Sequence, residues 1–109
     1  MEPQLVCIEK RLSGTDVSRN LEVPSQARFL PEANGIMLVT DRDGIRYEFI
    51  APVRKSGRRS LTHQWSDFAA AKGLRASEFI RINWSGNENH YVVQVGLEAH
   101  GQHIVWETL

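Results

Sequence analysis

The densest group of side chains suited to specific chemistry is the basic stretch Arg54-Lys55-Ser56-Gly57-Arg58-Arg59. It holds four of the 13 Lys and Arg residues, and no Asp or Glu occurs from Ile50 to Ser66. A face that serves only solubility usually mixes charges of both signs. Arginine grips phosphate with two parallel hydrogen bonds and pairs in the same way with guanine O6 and N7 in the major groove of DNA. The stretch therefore indicates a nucleic-acid-binding surface.

A second polar segment, Ser18-Arg19-Asn20, supplies complementary groups, because Asn20 can pair bidentately with adenine and Arg19 adds a cation. Within the basic stretch, Lys55 suits phosphate as a mobile point charge, and Ser56-Gly57 permits a tight turn. We therefore predict that DNA contacts come from two loops. The predicted DNA-binding residues are Ser18, Arg19, Asn20, Arg54, Lys55, Ser56, Arg58 and Arg59.

The other residues that could carry chemistry are dispersed along the chain. Asp41 and Asp43 flank a turn, where Asp commonly has a structural role. His100 and His103 fall in a predicted hairpin turn, without a Cys or acidic partner at metal-ligand spacing. The chain has no phosphate-cradling Gly loop and no nucleophile motif. We therefore expect no enzyme, no metal and no other cofactor.

Composition predicts a single domain over residues 1–109. Of these residues 41% are hydrophobic, and three Trp, four Phe and two Tyr can anchor a core. We find no membrane span or signal peptide, and we expect no small-molecule substrate. A lone Cys7 excludes an internal disulfide and indicates a buried residue of an intracellular protein.

The formal net charge is zero, which by itself argues against nucleic-acid binding. The charges are unevenly distributed, however. Residues 1–84 carry 13 basic and 10 acidic side chains, whereas residues 85–109 carry three acids and no Lys or Arg. Because the local field decides whether phosphate is attracted, binding by the first part of the chain stays compatible with a neutral total.

Alternating apolar residues predict about seven short strands, most clearly at Ile45–Phe49 after a hairpin turn at Asp41–Gly44. We expect one short helix within Ser25–Leu30, with Ser25 as N-cap, and a second beginning after Ser66 and ending at Gly73. Short strands at this spacing favour a closed or nearly closed antiparallel barrel, with a β-sandwich as the alternative. Irregular connections at residues 13–20 and 52–59 would be the functional loops.

Several segments, in order over roughly residues 5–84, together resemble the plant B3 DNA-binding domain. They match the opening of that domain, the end of a strand before a Pro, and a Pro after its first helix. They also match a Gly-x-x-Trp-x-Phe-like hairpin, with Tyr47 in the Trp position, and a Trp-x-x-Phe helix. These segments are Lys10–Ser18, Leu21–Pro24, Phe29–Pro31, Asp43–Phe49, Trp65–Phe68 and Lys72–Leu74.

The resemblance implies a mainly β fold, a seven-stranded open antiparallel pseudobarrel with two short α-helices. It also implies two arms that grip the DNA major groove, the first over about residues 13–20 and the second over about residues 52–60. The second arm is most similar to that of the auxin response factor branch. By this similarity Arg54 and Arg59 would read bases, and Lys55 and Arg58 would contact phosphates.

We therefore expect double-stranded DNA binding by a nuclear plant transcription regulator, with other regulators as further partners. One alternative is a B3-like fold that acts as a protein-interaction module without specific DNA binding. A third is an effector domain linked to a nuclease, because bacterial restriction enzymes use a similar barrel.

Overall fold

In the computed structural model, the residues described are 5–32, 35–86, 89–99, 101 and 103–109. They form eight strands and two short helices, one strand more than expected. The elements in order are β1 (Leu5–Arg11), α1 (Gly14–Ser18), β2 (Leu21–Glu22), β3 (Ile36–Thr40), β4 (Arg46–Ile50), β5 (Ser60–His63), α2 (Trp65–Ala71), β6 (Phe79–Trp84), β7 (His90–Ala99) and β8 (His103–Thr108).

The strands form one curled sheet in the order β1-β6-β7-β3-β4-β5-β2, with β8 paired to β7 off this path. Strand β7 has 10 residues, so its first part lies beside β3 and its later part beside β8. The β3–β7 contact is parallel, through the pairs Leu38–His90 and Val39–Tyr91, and the other strand pairs are antiparallel. The expectation of purely antiparallel pairing is therefore wrong at this one contact.

Helix α2 closes the concave side of the sheet. Its residues Trp65, Phe68 and Ala69 are buried, at the spacing that one helical face requires. The Trp65 and Phe68 rings each meet the ring of Phe49 at a centroid distance of 5.5 Å, in edge-on orientation. A helix of seven residues is too short to be stable alone, so this packing holds it in place.

The predicted start of one helix and the predicted location of the other both need correction. The N-cap of α2 is Gln64, without a side-chain cap bond, and Ser66 already lies inside the helix. The other helix, α1, lies at Gly14–Ser18, in the segment expected to be an irregular connection, and its N-cap Ser13 forms a capping box with Asp16. The sequence pattern Ser-x-x-Asp is the signal that could have located it.

Residues 25–30 are not helical. The Arg28 amide donates to the Cys7 carbonyl at 3.1 Å, and Phe29 adopts a positive φ of 58°. The backbone of this segment therefore makes a turn, in which the Ala27 amide donates to the Pro24 carbonyl at 3.1 Å, and one bond to β1 in place of a helix. Cys7 is buried, as predicted, and burial raises its pKa to about 12, so the thiol stays protonated at neutral pH.

A buried carboxylate, Asp16, joins the elements around the first arm. Its oxygens accept from the Ser13 amide at 2.8 Å and the Glu22 amide at 2.9 Å, and Lys10 Nζ lies 2.9 Å from Oδ2. Its backbone carbonyl accepts the indole N–H of Trp65 at 2.7 Å. Burial opposes ionisation, but the hydrogen bonds from Ser13, Lys10 and Glu22 outweigh it and hold the pKa of Asp16 below its ordinary value.

Asp41, directly after the last residue of β3, organises its surroundings in a similar way. Its Oδ1 accepts from the Asp43 amide at 2.9 Å and the Ile45 amide at 2.7 Å, which closes the predicted hairpin turn. Its Oδ2 accepts from Lys72 Nζ at 2.7 Å, just after α2. The hydrogen bond from Lys72 is the main reason that the pKa of Asp41 is lowered. The structural interpretation of Asp41 thus fits its contacts.

Replacing Asp16 by Asn should lower the free energy of unfolding by about 2–4 kcal/mol, because Lys10 loses its buried counter-charge and the amide cannot accept every bond that the carboxylate accepts. Urea unfolding followed by Trp fluorescence measures this loss. Asp43→Asn, which removes an exposed carboxylate, is the control and should change stability by less than about 0.5 kcal/mol. Equal effects of the two variants would contradict the role given to Asp16.

The lowered pKa of Asp16 also predicts acid sensitivity. Its ordinary value is 3.8, and the folded-state value lies below this. The contribution of Asp16 to stability is therefore complete above the unfolded-state pKa and is lost as pH falls through the folded-state pKa. Between about pH 6 and about pH 3, the urea midpoint should fall more steeply for wild type than for Asp16→Asn. Parallel curves would argue against this linkage.

Candidate nucleic-acid interface

The second arm, residues 52–60, is a short β-hairpin. Val53 and Arg59 form a bridge across its base, and the Arg54 amide donates to the Arg58 carbonyl at 2.7 Å. The Gly57 amide donates to the Arg54 carbonyl at 2.8 Å, and Gly57 has a φ of 86°. A three-residue turn with Gly in the left-handed region is a favoured hairpin closure, so this Gly gives the basic stretch a defined shape.

The hairpin is tied to the scaffold at its base. The Val23 amide donates to the Arg59 carbonyl at 3.0 Å, which extends the β2–β5 pairing into the arm. The Arg59 side chain turns inward as well: Nε donates to the Ala51 carbonyl and Nη2 to the Pro31 carbonyl, each at 2.7 Å. These bonds conflict with the prediction that Arg59 reads bases, and they give it a structural role at the base of the hairpin.

The first arm, residues 13–20, consists of the N-cap Ser13, α1 and the two residues after it. The Ser18 hydroxyl donates to the Gly14 carbonyl at 2.8 Å, and the Arg19 amide donates to the Thr15 carbonyl at 2.9 Å. The exposed side chains of Arg19 and Asn20 follow directly at the helix end. The helix thus fixes the direction in which these two side chains leave the scaffold.

A polar cleft of about 590 Å³, here called the arm cleft, lies between the two arms. Arg19 and Asn20 line it from the first arm and Arg54 from the second. Three of the eight predicted residues therefore meet at one site. The remaining lining residues are Lys10, Ser13, Thr15, Asp16, Glu22 and Ser60.

Of the other predicted residues, Ser18 lies in α1 and Arg59 at the base of the hairpin, and the remaining three lie in or next to the hairpin turn. Lys55 and Ser56 are exposed at the turn, where the Ser56 hydroxyl accepts the Arg58 amide at 3.4 Å. Arg58 lines a second groove of about 400 Å³, which Arg19 does not line. Among the described residues, Lys55 and Arg19 have no ion-pair partner, so both cations stay available.

One residue of the cleft was missed by the sequence analysis. Glu22 Oε2 lies 2.6 Å from Arg54 Nη2, and its Oε1 lies 3.9 Å from Arg58 Nη1. Glu22 and Arg54 are separated by 32 positions, which hides this contact in the sequence. Its cause is the strand register, which pairs Glu22 with Ser60 at the end of the arm. The basic stretch is free of acids along the chain but not in space.

The described residues contain no group of three or more His, Cys, Asp or Glu side chains placed to hold a metal ion. Of the predicted turn histidines, His103 is exposed at the start of β8, and His100 lies outside the described residues. None of the helices in the described part of the chain is long and apolar enough to cross a membrane.

The open, curled sheet with two short helices has the architecture of a mainly β pseudobarrel. No family model matches the chain, and no curated protein matches it significantly. A solved structure, the Arabidopsis FUS3–DNA complex, has a similar chain with a TM-score of 0.63 and 24% sequence identity. The match covers 86% of this chain and 99% of that chain. The predicted fold class is therefore confirmed.

The inward position of Arg59 separates its role from that of Arg54. Arg59→Ala should destabilise the fold by about 1–3 kcal/mol, because the carbonyls of Ala51 and Pro31 lose a charged donor. Arg54→Ala removes only an exposed ion pair and should change stability by less than about 1 kcal/mol. Urea unfolding of both variants measures the difference. A stable Arg59→Ala protein would restore Arg59 as a candidate for direct DNA contact.

Proposed function

We propose that this chain is a double-stranded DNA-binding domain of a nuclear plant transcription regulator, and that its two arms enter the major groove. The observation that carries the proposal is the arm cleft, where exposed Arg19, Asn20 and Arg54 converge from separate elements of a rigid sheet. The similar fold in the Arabidopsis FUS3–DNA complex supports DNA as the ligand.

The charge around the arms supports the same ligand. The two arms and the adjoining Lys10 contribute six Lys and Arg side chains. The acids nearest to them are the buried Asp16, already neutralised by Lys10, and the half-exposed Glu22. The outward-facing charge is therefore positive although the whole chain is neutral, and positive charge steers phosphate to this face.

The side-chain positions suggest a division of labour between the contacts. Lys55 at the hairpin tip and Arg58 in the second groove suit phosphates, because neither residue lines the arm cleft. Arg54 and Asn20 face the cleft and carry the paired hydrogen-bonding groups that distinguish guanine and adenine.

Two substitutions test this division. Arg54→Ala should cost about 1–3 kcal/mol on a duplex selected by the wild type, and it should narrow the gap between selected and random duplexes. Lys55→Ala should weaken binding to all duplexes alike and reduce the slope of log K against log[salt] by about one. Fluorescence anisotropy at several salt concentrations measures both effects.

Arg46→Ala is the matched control, since Arg46 is exposed at the start of β4, the strand end opposite the second arm. This control should bind all duplexes as the wild type does, apart from a small effect of net charge. Salt-independent binding, or no binding of any duplex by the wild type, would reject DNA as the ligand. Equal losses in the control and in Arg54→Ala would reject the arms as the interface.

A role in contacts with other transcription regulators is a second candidate. Leu97 and Val105 lie opposite each other on β7 and β8 and are 45% and 55% exposed. Neither residue lines the arm cleft, so a partner protein on this apolar pair and DNA on the arms would not compete. Arm substitutions that leave binding of a regulator intact would support this second role.

A further inference from the structure

Glu22 differs from the other acids near the two arms. It lines both the arm cleft and the second groove, and in each it is the one acid with an exposed side chain among the described lining residues. The other acid of the arm cleft, Asp16, is buried and already bonded to Lys10. A carboxylate among the arm cations repels phosphate and therefore weakens phosphate binding.

The carboxylate of Glu22 engages both arginines of the hairpin that are not structural. One oxygen lies 2.6 Å from Arg54 Nη2, and the other lies 3.9 Å from Arg58 Nη1. Phosphate oxygens use guanidinium donors in the same geometry as carboxylate oxygens. Glu22 thus occupies a position between two arginines that a backbone phosphate would otherwise fill.

The scaffold fixes Glu22 at this position. Its amide donates to Asp16 Oδ1 and its carbonyl accepts from Lys10 Nζ, each at 2.9 Å. Its pairing with Ser60 sets its distance from the second arm. Only the outer part of the Glu22 side chain is free to move, so the carboxylate can leave the arginines without any change in the sheet.

We infer that Glu22 is a built-in counterion that DNA must displace from Arg54 and Arg58: a random duplex displaces it with phosphate alone, whereas a selected duplex places a base edge against Arg54. This inference rests on the proposed function and adds a specificity device to it. The displacement weakens the binding of every duplex alike. Duplexes that offer Arg54 a base contact recover the loss, whereas random duplexes do not, so Glu22 raises the dependence of binding on sequence.

The experiment compares Glu22→Gln with Glu107→Gln. Glu107 also pairs with an arginine, Arg42, at 3.2 Å on an exposed surface. Each variant therefore raises the net charge by one and removes a carboxylate that is paired with arginine. Glu107 lines neither groove of the arms. The two proteins therefore differ in where the charge is removed and not in how much is removed.

Glu22→Gln should bind random duplexes about three- to tenfold more tightly than wild type at low salt, because a carboxylate no longer competes with phosphate. The gain on a selected duplex should be smaller, and both gains should shrink as salt screens the charges. Glu107→Gln should stay within about twofold of wild type. Equal or weaker binding by Glu22→Gln than by Glu107→Gln would overturn the inference.

A titration with inorganic phosphate separates this inference from the proposed function. The probe is the NMR signal of the Arg54 side-chain Nε–H, and it should saturate at several-fold lower phosphate in Glu22→Gln than in wild type. If wild type binds no duplex but this shift occurs, the DNA proposal fails and the counterion role stands. If duplex binding is normal and the phosphate titrations coincide, the counterion role fails alone. Thermal unfolding close to that of wild type would confirm that the variant is folded.

Discussion

The structure depends on one buried carboxylate, that of Asp16. It caps α1 through Ser13, receives the amide of Glu22 in β2 and neutralises Lys10 from β1, while its carbonyl binds the indole of Trp65 in α2. Three consecutive elements and the distant helix α2 thereby meet at a single residue. The first arm contains α1, and the second arm is paired to the end of β2. Asp16 therefore fixes the positions of the two arms relative to each other.

Burying a charge in this way is costly unless every bond is met, and the two buried aspartates meet that condition similarly. Asp16 and Asp41 each accept two backbone amides and one lysine. Each fixes a tight local structure, a helix cap in one case and a hairpin turn in the other. The result is a scaffold whose connections are rigid where they leave the sheet, which is what loops need to present side chains in a constant direction.

Local signals in the sequence accounted for most of the strands, the turn at Asp41 and the helix that carries Phe68. The failures have physical causes. Helix α1 was taken for a loop although its capping box was visible. Residues 25–30 were taken for a helix because the bond from the Arg28 amide to β1 cannot be seen in the sequence. The arm cleft could not be predicted from local sequence patterns, because the position of Glu22 beside Arg54 follows from strand register. Likewise, nothing in a run of arginines shows that Arg59 turns inward.

These positions change how the basic stretch is understood. Four cations in six residues look equivalent in the sequence, but the fold gives them separate tasks. Arg59 secures the hairpin, Lys55 stands free at its tip, and Arg54 and Arg58 share the carboxylate of Glu22. Since Arg54 is the one arginine of this arm that lines the cleft, the base reading that we propose for the second arm uses a side chain already paired in the free protein. Under that proposal, affinity and selectivity are set by the exchange between an internal carboxylate and an external ligand, which net charge does not reveal.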